Sequence, residues 1–346
     1  MIKFSRDTTQ ILKGIALVLM IIHHTIMAGD WVETSIISVD VYRFICQSTK
    51  MCVWIFAFLV GFGFYLSNNK TFIYSLKRVT LLTIPFWVIL GLIFIPQAFL
   101  SGSLSAMFDN GVLNGIIQLI YNMFGISESL NWYSWFVCFY ILSICSMPYI
   151  HKIIEKYTKY GWIIIILSYY ALSIVIHCLP FYQTNLLIYN LFTYTTLFPI
   201  IIVGYMCARW NKTGKIPTLF EGKNRLMISL STLLIVLFIQ GIGIPTKGVC
   251  LQAFYTPILI FAIVGIFNSF KLPHLRSFFK NIGDLSMYMW FIHAIFFTET
   301  VNHYAKHLVF SSSFNCFIYT FIMTLTITYA IAWIIKKMLA PIINKI

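Results

Sequence analysis

A chain of 346 residues in which hydrophobic side chains make up 60% and charged ones only 10% is neither an ordinary soluble domain nor a disordered segment. Its net charge of +14 would suit a nucleic-acid partner in a soluble protein, but here the basic residues sit in short loops between apolar runs, where they set membrane topology. Composition therefore points to an all-α polytopic membrane helix bundle, with residues 1–346 forming a single integral membrane domain.

Apolar runs long enough to span a bilayer fall near 10–28, 43–66, 79–100, 131–150, 161–178, 186–208, 226–243, 249–269, 285–301 and 314–335, which predicts about ten transmembrane helices. The first run follows Lys3 and Arg6, and no small-residue cleavage signal appears near Ala28, so it reads as a retained helix. Twenty of the 24 Lys and Arg residues fall on one side of this plan, from Lys3, Arg6 and Lys13 through Lys70, Lys77 and Arg78 to Lys336, Lys337 and Lys345. The other side holds Arg43, Lys50, Lys247 and Lys306 and collects acids, among them Asp30, Glu33, Asp40, Glu128 and Glu299. Both termini are accordingly predicted to be cytoplasmic. The apolar run 111–126 is short and would reverse that charge pattern, so it reads as a re-entrant or interfacial element on the outer face. The eight cysteines are dispersed without Cys-x-x-Cys spacing and read as small apolar membrane residues; no metal site is read from them.

Four stretches carry chemistry. The first runs from Lys13 to His24, eleven residues on. Eleven steps of a helix turn roughly 1,100°, within about 20° of whole turns, and climb about 16 Å, so both residues share a face and His24 lies well inside the bilayer. His23 points about 80° away and reads as a structural hydrogen bond. A titratable side chain at that depth faces a bundle interior or a wet cavity. The second stretch is Lys77-Arg78 before Pro85, the third runs from Asn131 through Trp132, Tyr133, Ser134 and Trp135 to Phe136, and the fourth runs from Asn281 to His293 with Gly283, Ser286, Tyr288 and Trp290 inside it. Asp284 follows Gly283 at the predicted start of a helix, where a carboxylate would cap free backbone N–H groups.

Taken together and in this order, these residues resemble the acyltransferase 3 family of integral membrane acyltransferases, which mostly O-acetylate extracytoplasmic carbohydrates, and the likeness covers nearly the whole chain. The family's first-helix signature of a basic residue, ten residues and a histidine corresponds to Lys13 and His24, with Lys replacing the usual Arg; these are the catalytic residues that the resemblance implies. Lysine keeps the charge but loses the planar bidentate fork. The stretch Phe58-Leu-Val-Gly61-Phe62 resembles an aromatic-rich family segment, with Val60 where Ser is common, and Leu81 stands where a second Arg of an Arg-x-x-Arg pair would be. Trp135-Phe136 and the Gly283, Ser286, Tyr288 and His293 series match two further elements.

The resemblance implies a cytoplasmic acyl-CoA donor, acetyl-CoA above all, with Lys77, Arg78 and Arg209 suited to its phosphates. It implies a carbohydrate acceptor met by Asp40, Arg43, Trp132, Tyr133, Trp135 and Glu128, and His23, Ser286 and His293 as polar partners of the base. Trp and Tyr at these positions also suit the ordinary interfacial belt. The implied location is multi-pass in a bacterial inner or plasma membrane. Whether His24 acts as a base or is itself acylated stays open at this point. The competing reading is a transporter or exporter of a glycan or acyl group, since buried histidines and a polar path fit transport too.

Overall fold

A peptide N–H in hydrocarbon has no water to bond to, so a chain this apolar must close its backbone hydrogen bonds within each segment, as helices do. The computed structural model describes all residues except 1–3, 29–37, 158–159, 215–219, 221, 223, 245, 247, 271 and 298–312, and the described part contains helices and turns with no strand. The charges Lys3, Asp30, Glu33, Lys159, Lys215, Lys223, Lys247, Lys271, Glu299 and Lys306 lie outside the described residues.

In chain order the helices are α1 (Arg6–Ala28), α2 (Val39–Thr49), α3 (Met51–Leu66), α4 (Phe72–Ile89), α5 (Ile95–Leu100), α6 (Ser103–Ala106) and α7 (Val112–Met123). They continue as α8 (Trp135–Lys156), α9 (Gly161–His177), α10 (Leu186–Lys212), α11 (Arg225–Ile242), α12 (Gln252–Ser269), α13 (Pro273–Ile292) and α14 (Ser313–Ile343). Lys50 alone joins α2 to α3, and a π-helical turn at Leu90–Phe94 joins α4 to α5, so each pair forms one long rod. Among the described residues, eight helices or rods are long and apolar enough to cross a membrane. Helix α9 has the composition but only 17 residues. Helix α13 has 20 residues, but His274, Arg276, Lys280 and Asp284 put four polar side chains before its last two turns. Helix α7 has 12 residues, about 18 Å of length, which is too short to span.

One expectation is corrected. Hydropathy starts a span at 285 with Asp284 as its cap, whereas α13 begins at Pro273 and runs straight through Asp284. The polar residues that look like a loop in a hydropathy reading are one face of an amphipathic helix, and Pro273 at its first turn starts it where a missing N–H costs nothing. The helix then tightens into a 3₁₀ turn at His293–Phe297.

Lipid tails are as apolar as leucine, so helices in a bilayer associate through close packing and polar contacts. The two most extensive helix contacts are α3 with α10 and α1 with α13. Each is built on facing glycines. A Cβ at Gly283 would collide with the backbone of Gln10, and one at Gly14 with the backbone of Phe279. Gly61 meets the backbone of Ile201 and Gly204 that of Phe58 in the same way. Helix α1 is central: Leu12, Ala16, Leu17, Met20 and Ile21 are fully buried, and α2, α3, α12, α13 and α14 all touch it. The α8–α10 wall adds a polar chain in which Tyr169 and Tyr194 hydroxyls lie 2.7 Å apart and Tyr194 donates to Ser146 at 2.8 Å.

Candidate active site

The central helix carries Lys13 and His24 on an uninterrupted stretch, and a cavity of about 520 Å³ lies alongside it. One end of this cavity is polar, lined by Gln10, Lys13, Arg78 and Asp284. Its body is apolar, lined by Leu59, Val60, Leu82 and Ile144 among others. Its far end is closed by Phe56, Phe136 and Trp290, whose rings pack on one another with Trp290 centroids 5.0 Å from Phe56 and 4.8 Å from Phe136. Arg78 reaches the wall from the second turn of α4, a helix started by Thr71, whose hydroxyl accepts the Tyr74 N–H at 3.3 Å. Tyr140 lines the same part of the wall.

Trp290 links this cavity to a layer of rings beyond it. Its carbonyl oxygen is the partner of His293 Nδ1, and its indole N–H donates to the Tyr133 carbonyl at 3.3 Å. His293 Nε2 lies 2.7 Å from His24 Nδ1, and the two imidazoles are stacked with centroids 4.9 Å apart. Tyr133 lies against both rings, 3.9 Å from His24 and 4.9 Å from His293. The turn before α8 sets its place. Asn131 accepts the Tyr133 N–H at 3.1 Å through its side-chain oxygen and donates to the Phe291 carbonyl at 3.2 Å, so α13 and the turn are pinned together.

The remaining expected residues separate into groups. His23, its ring centroid 5.1 Å from that of His24, bonds the Cys46 carbonyl of α2 through Nδ1 at 2.7 Å. Ser286 lines the cavity with its hydroxyl bonded to the Gly283 carbonyl at 2.8 Å, about two turns of α13 before His293. Lys77 is exposed and lies outside the cavity lining. Arg209 belongs to a separate cluster where α8 and α10 end: it pairs with Glu155 at 3.3 Å, which accepts from Tyr205, itself 2.6 Å from His151. Asp40 and Arg43 form an exposed pair at 3.9 Å on α2. Trp132 is exposed, Trp135 packs edge-on against Phe136, and Glu128 is half-buried in the loop before α8, where burial pushes its carboxyl up to about 7. Of the six residues expected to meet an acceptor, Tyr133 is the one placed against the histidines.

Sequence reasoning passed over Asp284 and Tyr140 as cavity residues and Asn131 as the group that places Tyr133. The usable signal was Asn131 two residues before Tyr133, the spacing at which an Asn side chain bonds the following backbone.

The model of the acyltransferase domain family that the motifs resemble matches residues 9–336. The chain belongs to the acyltransferase 3 family. It is a multi-pass membrane acyltransferase, and the family match takes in Lys13, Arg78, His24, Tyr133 and His293 together. No curated protein and no solved structure matches this acyltransferase.

Proposed function

We propose that this acyltransferase moves an acyl group, acetyl in the simplest case, from cytoplasmic acyl-CoA to a hydroxyl of an extracytoplasmic polysaccharide or lipid-linked glycan in a bacterial plasma membrane. The observation that carries this reading is the cavity that starts at Lys13 and Arg78 and ends at Trp290, one hydrogen bond from the residue that touches His24. Two cations at a mouth suit the phosphates of a polyanionic donor. The apolar body of the cavity suits the slender pantetheine arm, and the aromatic collar of Phe56, Phe136 and Trp290 is where the thioester would stop, favouring a short acyl group. With the cytoplasmic termini that the charge pattern predicts, the Lys13 end faces the cytoplasm and the His24 layer lies toward the outer leaflet.

In this mechanism His24 takes the proton of the acceptor hydroxyl as the oxygen attacks the thioester carbonyl. A C–O bond forms, the C–S bond breaks, and the proton passes from the imidazolium to the departing sulfur, so the products are the O-acyl glycan and free CoA. A cavity that stays apolar keeps water from competing for the thioester. The test is reconstitution into vesicles with radiolabelled acetyl-CoA supplied from one side and surface glycan from the producing cells supplied from the other. Label should move to glycan across the membrane only when acetyl-CoA is on the Lys13 side; glycan movement with no acetyl-CoA present would instead identify a transporter.

A further inference from the structure

His293 is fully buried at the first residue of the 3₁₀ turn, and both of its ring nitrogens are engaged. A carbonyl oxygen can only accept, so the Trp290 carbonyl requires the proton of His293 to sit on Nδ1. The neutral ring then carries its lone pair on Nε2. That atom lies 2.7 Å from His24 Nδ1, which must therefore be the donor. A neutral His24 with its proton on Nδ1 has its basic lone pair on Nε2. The order is dictated from one end: a backbone carbonyl sets one imidazole, and that imidazole sets the next.

We propose that His293 is a positioning residue of the acyl transfer, accepting the Nδ1–H of His24 so that Nε2 of His24 is the atom that takes the acceptor's proton. The inference rests on His24 being the base. It assigns to a second, neutral histidine the part that a buried carboxylate plays in a Ser-His-Asp triad, which is to hold the tautomer and to support the imidazolium that forms. Among the described residues, the ionisable groups beside His24 are His293, His23 and Lys50. His23 is tied to Cys46, and Lys50 is itself cationic. The hydrogen bond to His293 supports a transient positive charge on His24, becoming charge-assisted as His24 gains its proton, and continues onward to the Trp290 carbonyl. Tyr133, stacked on both rings, keeps them coplanar enough for that bond, with interplanar angles of 25° to His24 and 27° to His293.

The test compares His24→Ala, His293→Leu and His293→Gln in the same membrane vesicles, following transfer of radiolabelled acetyl-CoA to extracted surface glycan. Protein abundance and thermal unfolding are checked in parallel. His293→Leu removes the acceptor, and the apparent kcat should fall about 100-fold while the donor KM is unchanged. In His293→Gln a side-chain oxygen can take the place of Nε2, and kcat should return to within about tenfold of wild type. If His293→Leu transfers normally while His24→Ala is inactive, the relay is wrong although the base assignment holds. If Leu and Gln variants lose activity equally, or through a higher KM or a lower melting temperature, His293 is only part of the scaffold and the inference falls. Normal transfer by His24→Ala would remove the base assignment, and the relay with it.

Discussion

Tyr133 sits in a turn rather than on a helix, and that is why its contact with His24 could not be read from periodicity. Lys13 and His24 lie on one unbroken helix, so their common face follows from 3.6 residues per turn; Lys13 lines the cavity and His24 lies in the ring layer beyond Trp290. His293 and Ser286, seven residues apart, are the same arrangement on a smaller scale, and two turns of rise, about 10 Å, put one in the His24 layer and the other on the cavity wall. Arg209 reads as a free cation in sequence because Glu155, its partner, lies on another helix. Glu128 shows what burial does in the outer loop. Its carboxyl is raised to about 7, above the ordinary value of about 4.3, so the folded protein holds a proton that the unfolded chain releases. The neutral form is favourable below about 4.3, and that advantage disappears as pH rises through about 7. Glu128→Gln should therefore melt like wild type at low pH and at a higher temperature than wild type above neutrality, measured by thermal unfolding in detergent from acid to pH 8. Equal melting at every pH would show that the carboxyl is not held in an apolar place.

At the scale of elements, the glycines that match family motifs have a packing reason. Gly283 lets α13 lie on α1 with backbone touching backbone, which brings Trp290 and His293 to the level of His24. Any side chain there must move a main chain instead of a rotamer. Gly283→Leu should cost at least the 1–3 kcal/mol typical of overpacking, about the upper end or beyond, and lower the melting temperature and the activity together. Gly91, with nothing within 4 Å of an added Cβ, is the control, and Gly91→Ala should melt as wild type does. Loss of stability in both variants, or in neither, would contradict this assignment. The start of α13 was misplaced in the sequence for a related reason: hydropathy scores the average of a helix, and α13 is polar on one face where it borders the cavity mouth.

For the whole molecule, fold class was plainly legible because a bilayer leaves helices as the natural way to satisfy backbone groups, and eight of the expected spans return as long apolar helices or rods among the described residues. The cavity was not legible, since it arises where α1, α3, α4, α8 and α13 fail to close on one another, a property of no single segment. What joins these scales is the proposed route from the cationic mouth of the cavity to the ring layer around His24. The most direct measurement is the ester-linked acyl content of surface glycan from cells producing wild type, His24→Ala or His23→Ala at matched membrane abundance. Loss of acylation in His24→Ala by about 100-fold or more, with His23→Ala close to wild type, is the predicted result. Normal acylation in both variants would contradict it and reduce His24 to a packing residue.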